Sequence, residues 1–334
     1  MSSQNTYRYP HIQHLVLAGG GPSIFQTMGA LQHLHANGFV QKDSIQGIYG
    51  TSAGSVVGVL MCLNMEWKDI TEYFVGRPWH STFLITPTMI LDAYAKKGVF
   101  DKDFLIKVFQ PIFAAKDISA DITLQELYDL SRIDLHIYSF ELHAFQTIDF
   151  SHTTHPEMSV VEAIYRSCAL PIVFSPHCDG ETCYLDGGLM TNYPVNCCIE
   201  NGGDPSTILG MCNSYRDYDE EHSTALHVTS ESTILDYMST LMSKIVRHVN
   251  TDRAQTTLDY EVEFQSHRMS LTYMSQVLSS KELRAVLLDK GVAAAQKFMT
   301  QCIHKEDDLV RRAEQEEMWD PLESTCRHAS LSIL

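Results

Sequence analysis

The sequence Gly-Thr-Ser-Ala-Gly at positions 50–54 constrains the fold of this chain more than any other segment. It follows a short apolar run at 45–49 and precedes a second one at 56–63, which together predict a strand, a sharp turn and a helix. In such a turn the serine oxygen lies exposed at the tip, and the helix amides point toward it. The pentapeptide alone also fits an ordinary strand-to-helix turn, so its meaning depends on the rest of the chain.

Strands and helices alternate at the start of the chain. Positions 12–18 predict a buried strand, and Ile24, Met28 and Leu31 recur at helical spacing until Gly38 ends the helix. The strand at 45–49 and the helix after the turn repeat this order. Such alternation favours an α/β fold with a mainly parallel sheet and right-handed crossovers.

Later segments continue the pattern with more helix. A capping-box signature, Thr123 followed by Glu126, predicts a helix start within a stretch of mostly helical pattern. Further strands are predicted at 133–141, 145–150 and 208–212, and further helices at 160–168, 232–258, 280–303 and 305–323. We therefore expect a tail at 1–10, a catalytic core at 11–216 and a mainly helical C-terminal region at 217–334, packed on the core.

Composition excludes several classes of function. With 334 residues, 44 % of them apolar, the chain can bury a large core, and its 10 % aromatic content argues against disorder. A net charge of −17 argues against nucleic acid as a partner and against docking on anionic lipid through a basic patch. Weaker, apolar contact with lipid stays compatible with this charge.

The cysteines and the N-terminus bear on location and cofactors. The nine cysteines are scattered, positions 1–14 lack the apolar stretch of a signal peptide, and no apolar run could span a bilayer. We expect reduced thiols and a soluble, cytoplasmic protein whose membrane association is transient and peripheral. His177, Cys178 and Cys183 lack the spacing of a structural zinc site, so we expect no metal and no other cofactor.

Two further glycine motifs flank the serine motif in the sequence. Gly19, Gly20 and Gly21, at the end of the first strand, could present backbone N–H groups to an anion. Neither the dinucleotide nor the P-loop phosphate pattern is complete here, and an ordinary glycine turn is the simpler alternative. The segment Asp-Gly-Gly at 186–188 would, taken alone, be read as a β-turn.

Taken together and in this order, the three motifs resemble the patatin-like phospholipase family. The blocks Ser-Cys-Ala-Leu-Pro at 167–171 and Leu-Met-Thr-Asn-Tyr-Pro-Val at 189–195 resemble the family as well, and the likeness covers about 12–213. It implies a three-layer α/β sandwich that hydrolyses acyl esters of phospholipids without a metal. It also implies that Ser52 is the nucleophile, that Asp186 is the general base without a histidine, and that Gly20 and Gly21 form the oxyanion hole. The supporting glycines are Gly19, Gly50, Gly54, Gly187 and Gly188.

The chain departs from the family in one place. The family commonly carries a glycine triplet, one variable residue, an arginine or lysine, and then a glycine, whereas Ser23 and Ile24 stand at the last two of these positions here. We therefore expect that the preference for the lipid head group can differ from that of other family members.

A second segment of interest contains Trp79, Phe83, Leu84 and Ile85 beside two prolines. We interpret it as a lid or acyl-chain wall over the site, with a cap on the protein core as the alternative.

Two other functions remain open on the sequence alone. One is an α/β-hydrolase-like esterase whose triad would use a late histidine such as His248 or His267. The other is a non-catalytic lipid-binding or regulatory protein that keeps the fold. The phospholipase hypothesis predicts a phospholipid or other acyl lipid as substrate, and it leaves room for a protein activator.

Overall fold

The computed structural model describes residues 10–83, 86–214, 228–232, 234–253, 256–267 and 271–319. The predicted tail at 1–10 lies outside these residues except for Pro10. The strands are β1 His14–Leu17, β2 Gly47–Thr51, β3 Gly98–Phe100, β4 Asp134–Glu141, β5 Gln146–Phe150, β6 Ile172–Phe174, β7 His177–Cys178, β8 Cys183–Asp186, β9 Ile208–Ser214 and β10 Tyr260–Gln265. The helices are α1 Ile24–Ala36, α2 Ala53–Cys62, α3 Trp67–Thr71, α4 Trp79–Thr82, α5 Pro87–Lys96, α6 Lys102–Ala115, α7 Leu124–Ser131, α8 Val160–Cys168, α9 Val195–Glu200, α10 Ile234–Arg253, α11 Leu271–Ser279 and α12 Lys281–Trp319.

A central sheet runs in the order β10-β9-β1-β2-β4-β8-β7, with β5 paired to β4. The pairs from β10 through β4 are parallel, and β8, β7 and β5 add antiparallel pairs at the other end. This confirms the predicted α/β fold with a mainly parallel sheet. Residues 98–100 form β3, a strand that was not predicted from the sequence, and it pairs with β6 in a separate two-stranded sheet.

Alternate residues of the inner strands pack on opposite faces of the sheet. In β1, Leu15 and Leu17 belong to the large core beneath α1, α2 and α8, whereas Val16 belongs to a smaller cluster beneath α9. Burial on both faces is what a parallel sheet requires, since helices cover each side. The layers of helix, sheet and helix fix the C-terminal ends of the parallel strands at one edge, where the candidate site lies.

The C-terminal region joins the core through both a strand and a helix. β10 extends the sheet beside β9, and α12 packs along α1. A Cβ at Gly29 would overlap the carbonyl of Leu288, and one at Gly291 would overlap that of Gln26, so the two glycines let these helices approach closely. The helices predicted at 280–303 and 305–323 are one continuous helix, described as far as Trp319.

One buried arginine holds the C-terminal helices to the body of the protein. The guanidinium of Arg284 on α12 donates hydrogen bonds of 2.8–3.2 Å to the backbone carbonyls of Val75, Arg77, Val277 and Leu278. Burial lowers the pKa of this group, against the weaker influence of Glu282. The bonded carbonyls lie near helix ends, where the helix dipole favours a cation.

One pair of cysteines is not in the reduced state that the sequence analysis predicted. Cys178 and Cys183 form a disulfide across the β7–β8 hairpin, whereas the scattered distribution predicted reduced thiols throughout. Adjacent antiparallel strands bring the two side chains together, which a sequence separation of five residues does not reveal. Among the described helices, none is both long enough and apolar enough to cross a membrane.

Candidate active site

Ser52 occupies the sharp turn between β2 and α2, as the sequence predicted. Its backbone has φ 52° and ψ −120°, a sparsely populated conformation for a residue with a side chain. Such strain costs on the order of 1–3 kcal/mol and persists only where neighbouring bonds hold it. The backbone N–H of Ser52 donates to the hydroxyl of Ser167 over 2.8 Å, and its carbonyl accepts from the hydroxyl of Ser55 over 2.6 Å. The serine is therefore held rigidly at the tip of the turn.

Glycines allow the close packing around this turn. A Cβ at Gly54 would overlap the carbonyl oxygen of Leu17 in β1, and one at Gly50 would lie 2.8 Å from the backbone nitrogen of Ser55. Any larger residue would push α2 away from the sheet. The two flanking glycines of the pentapeptide thus serve the turn in the way the sequence pattern predicted.

Strand register brings Asp186 beside Ser52. β2 pairs with the first part of β4, ending with Thr51 opposite Tyr138, and β8 pairs with the next part, with Asp186 opposite Ser139. Because Tyr138 and Ser139 are consecutive, the ends of two strands far apart in sequence meet. The hydroxyl of Ser52 lies near the carboxylate of Asp186 and influences its pKa, and both residues are buried.

The environment of Asp186 makes it a stronger base than an ordinary aspartate. Burial raises its pKa to about 6, against the lowering influence of the Gly188 N–H and of the nearby Ser52 hydroxyl. The Gly188 bond is 2.7 Å long and fixes the orientation of the carboxylate. A Cβ at Gly187 would overlap the carbonyl of Tyr138, so this position needs glycine if Asp186 is to lie close to β4. A pKa near 6 leaves the group ionised at neutral pH yet able to take up a proton.

The glycine loop after β1 forms another side of the site. The N–H of Gly19 donates to the carbonyl of Asn192, and its carbonyl accepts from the Asn213 side chain over 2.8 Å. Gly21 has φ +53°, a left-handed conformation that favours glycine. Within the described part of the chain, the N–H groups of Gly20 and Gly21 donate to no other residue, and both glycines line the cavity over Ser52. They are free to bind an oxyanion or another acceptor.

The position at which the family carries a cation is enclosed here, and the position after it is apolar. Ser23 is buried, and its hydroxyl has no hydrogen-bond partner among the described residues. Ile24 contributes an aliphatic side chain to the cavity wall. The described lining of the cavity contains no lysine, arginine or histidine, so a substrate phosphate would meet no positive side chain there.

A cavity of about 1020 Å³ contains the Ser52 and Asp186 side chains at its polar end. Most of its wall is apolar. Representative wall residues are Phe25, Phe74, Trp79, Leu105, Val108 and Phe174. The described lining residues include neither His248 nor His267, the two histidines considered for a triad. Among the described residues, no group of three or more His, Cys, Asp or Glu side chains is arranged to hold a metal ion.

Of the aromatic segment after α3, Trp79 belongs to this wall. Trp79 is buried, donates its indole N–H to the carbonyl of Phe74 over 2.8 Å, and lines the cavity. Phe83 is buried against it, with ring centroids 5.7 Å apart, and does not line that cavity. Leu84 and Ile85, which the sequence grouped with them, lie outside the described residues. The two rings are parts of the protein interior, and only Trp79 can contact a ligand in the cavity.

Some residues near the site were not predicted to have a role. Cys168 is buried, and burial raises the pKa of its thiol against the weaker opposite influence of the nearby Ser52 and Ser55 hydroxyls. Asn213, at the end of β9, supports the glycine loop and accepts from Ser266 over 2.7 Å. Its place after a buried parallel strand was the available signal, because ligands bind at the carboxyl ends of such strands.

Comparison with known proteins agrees with this architecture. A model of the patatin-like phospholipase family matches residues 15–198. A probable lipid hydrolase of Invertebrate iridescent virus 6 is 24 % identical over 186 residues, covering 56 % of this chain and 63 % of the viral protein. An uncharacterized protein of Acanthamoeba polyphaga mimivirus is 26 % identical over 191 residues, covering 55 % of this chain and 60 % of its own length. The match thus spans about three fifths of each viral relative.

A solved structure has a similar fold. The crystal structure of VipD from Legionella pneumophila superposes with a TM-score of 0.52 at 15 % sequence identity, covering 87 % of this chain and 67 % of VipD. At this identity the likeness concerns the fold alone. The family model, by contrast, matches more than half of the chain. This chain belongs to the patatin-like phospholipase family.

Proposed function

We propose that this protein is a lipid acyl hydrolase of the phospholipase A or lysophospholipase type, with Ser52 as nucleophile and Asp186 as general base. One observation carries the proposal. A strained serine and a buried carboxylate lie near each other at the polar end of a largely apolar cavity of about 1020 Å³. A cavity of this size and polarity suits an acyl chain better than a small polar substrate.

The first half of the reaction forms an acyl-enzyme. The Ser52 oxygen attacks the ester carbonyl carbon while its proton passes to Asp186, whose pKa of about 6 suits this transfer. The negative charge that develops on the carbonyl oxygen is stabilised by the N–H groups of Gly20 and Gly21 and by the N-terminus of α2. The C–O bond to the alcohol then breaks, and the departing lysolipid or alcohol oxygen takes the proton from Asp186.

The second half releases the fatty acid. Water donates a proton to Asp186 and attacks the acyl carbon, with the same N–H groups stabilising the oxyanion. The bond to the Ser52 oxygen breaks, and that oxygen recovers its proton from Asp186. The two steps are acid–base mirror images, so one carboxylate serves both and no histidine is needed.

The lining also bears on which lipids fit. Ser23 stands where the family commonly carries a cation, and the described lining has no basic side chain, so a negatively charged head group would gain no favourable charge interaction there. We expect lipids with neutral or zwitterionic head groups to be the better substrates. The substrate is presented by a lipid surface, with which the protein makes transient, peripheral contact, and a protein activator is compatible with this arrangement.

The decisive experiment is hydrolysis of a phospholipid with two distinguishable acyl chains in mixed micelles. Wild type is compared with Ser52→Ala and Asp186→Asn, and the exposed carboxylate variant Asp129→Asn is the matched control. We expect fatty acid from wild type and the control, and a fall of at least about 10³-fold in both site variants. The identity of the released acid gives the bond that is cleaved.

Covalent labelling separates the other functions considered. A fluorophosphonate should label wild type at Ser52 and should not label Ser52→Ala. A folded wild type that neither reacts with the probe nor hydrolyses lipid would contradict the proposal and indicate a binding protein. Loss of activity in His248→Ala or His267→Ala would instead indicate a triad.

A further inference from the structure

Helix α10 carries a stripe of exposed apolar side chains. The stripe consists of Ile234, Tyr237, Met238, Leu241 and Ile245, each between 36 % and 70 % exposed. Their spacing of three and four residues places them within an arc of about 100° on one side of the helix. Single exposed apolar residues are common on protein surfaces, but a continuous stripe along one helix face marks an interaction surface.

The same helix forms part of the catalytic cavity. Met242 and Val246, centred about 110° around the helix from the stripe, line the cavity that contains Ser52. Among the described elements, α10 packs chiefly against the turn Gly187–Leu189, which directly follows Asp186. The exposed stripe therefore lies next to the cavity wall, and the helix separates part of the cavity from solvent.

The charges of α10 differ from those of the rest of the chain. Its twenty residues include three Lys or Arg and two Asp, a net charge of +1 in a chain whose net charge is −17. Lys244 is exposed and lies beside the stripe, between Leu241 and Ile245 in sequence. An apolar stripe bordered by a lysine resembles the interfacial helices that lie in the head-group region of a bilayer.

We propose that α10 is the lipid-docking element of this enzyme. The stripe inserts into the surface of a bilayer or micelle, and this docking places the cavity wall formed by Met242 and Val246 against the lipid from which an acyl chain is drawn. The occupant is a lipid surface, since the substrate class comes from lipid and the stripe is continuous with the cavity that receives it. The role of this docking in substrate delivery rests on the proposed acyl hydrolase function, although docking itself can be measured without catalysis.

The test measures vesicle binding by a catalytically silent protein. Full-length Ser52→Ala is mixed with phosphatidylcholine vesicles containing a minor fraction of phosphatidylglycerol, and the bound fraction is measured by flotation. Leu241→Ser with Ile245→Ser is then added to this background. We expect the partition coefficient to fall roughly tenfold or more, because two apolar side chains no longer insert.

Exposed apolar residues elsewhere supply the matched control. Leu130 on α7 is 58 % exposed and Val286 on α12 is 48 % exposed, and neither lines the cavity. Leu130→Ser with Val286→Ser should leave vesicle partitioning within about twofold of the background, since they lie outside the stripe. Equal loss of partitioning in both pairs, or no loss in either, would overturn the assignment of α10.

A second readout separates this inference from the function on which it rests. In protein with Ser52 intact, the stripe variant should lower the ratio of vesicle hydrolysis to hydrolysis of a soluble short-chain ester by about tenfold. If wild type hydrolyses no ester at all while the stripe still governs vesicle binding, the proposed function fails and the docking surface stands. If light scattering shows that the stripe variant converts a dimer into a monomer and vesicle binding is unchanged, the stripe is covered by a second copy and the inference fails.

Discussion

The hydroxyl of Ser167 accepts a 2.8 Å hydrogen bond from the Ser52 backbone N–H and donates a 2.5 Å hydrogen bond to the carbonyl of Tyr138. Ser167 is fully buried, so it joins the strained turn to strand β4 where water cannot substitute. Ser167→Ala leaves a buried donor and a buried acceptor without partners, and we expect it to cost about 1–3 kcal/mol of unfolding free energy. We also expect a lower kcat on a soluble ester, because the position of Ser52 is less firmly held.

Ser151→Ala is the matched control for this prediction. Ser151 is equally buried, and among the described residues its hydroxyl bonds only to Thr153 and Thr154 near the end of β5. It should lose a similar amount of stability in chemical denaturation and keep its kcat per folded molecule. Equal kcat values for the two variants would show that the Ser167 bond has no part in positioning the nucleophile.

The pKa of Asp186 predicts the acid limb of the pH–rate profile. Burial raises that pKa to about 6, and only the ionised carboxylate can accept the serine proton. We expect kcat/KM for a soluble ester to fall about tenfold per pH unit below about pH 6 and to level off above it. Circular dichroism at each pH would verify that the protein stays folded. An acid limb that disappears in His267→Ala would assign the titration to the histidine and contradict the dyad.

The same pKa predicts that Asp186 destabilises the folded protein at neutral pH. The folded-state pKa exceeds the usual 3.8, so between about pH 4 and pH 6 the folded protein binds more protons than the unfolded chain. Stability therefore falls as pH rises through this window. We expect Asp186→Asn to raise the unfolding free energy by about 2–3 kcal/mol at pH 7.5 and by little near pH 4. Urea unfolding at both pH values, with the exposed variant Asp129→Asn as control, measures this. A less stable Asp186→Asn protein at pH 7.5 would refute the assigned cost of burial.

The parts of the site that the sequence predicted are those that leave a local pattern. A turn that must hold a serine at positive φ between a strand and a helix needs glycine at fixed offsets, and Gly50 and Gly54 record that need. The capping box of Thr123 and Glu126 is likewise local, and both of its hydrogen bonds are present. Short-range geometry of this kind depends on residues that are neighbours in the sequence, so the sequence predicts it.

Features that depend on distant pairing could not be predicted in this way. In the short strand β10, acidic residues alternate with apolar and aromatic ones. Its place in the sheet comes from pairing with β9, which lies some fifty residues earlier in the chain. The helical spacing of α10 was visible, but helical spacing does not distinguish a core-facing helix from one that borders a cavity. The same limit applies to Arg284, a single charge in a charged segment that proves to be fully buried.

Two neighbouring aromatic residues give a matched comparison between lining a cavity and filling the core. Trp79 and Phe83 are both buried and stacked, but of the two only Trp79 lines the cavity that contains Ser52. Each truncation to alanine should cost about 3–5 kcal/mol of unfolding free energy. Only Trp79→Ala should change the ratio of long-chain to short-chain ester hydrolysis, because only that ring can contact the acyl chain. Identical changes in this ratio for both variants would mean that neither ring acts as an acyl wall.

A buried histidine on β4 predicts how stability responds to alkaline pH. The His136 ring stacks on Tyr49 at 4.5 Å, with Nδ1 2.7 Å from an oxygen of Asp149 and Nε2 3.2 Å from one of Asp134, a carboxylate that His152 also approaches. Burial acts to lower the pKa of His136, but the two carboxylates outweigh it and raise the pKa to about 9.

Because this pKa exceeds the usual 6.5, the charged ring stabilises the folded protein fully below about pH 6.5, and the contribution is lost as pH rises toward 9. We expect up to about 3 kcal/mol of unfolding free energy to disappear across that window. His136→Gln should remove most of this pH dependence and leave kcat on a soluble ester unchanged, since His136 does not line the cavity. The exposed histidine variant His80→Gln should retain the full pH dependence. A wild-type unfolding free energy that stays flat between pH 6.5 and 9 would show that the carboxylates do not hold the His136 ring in its charged form.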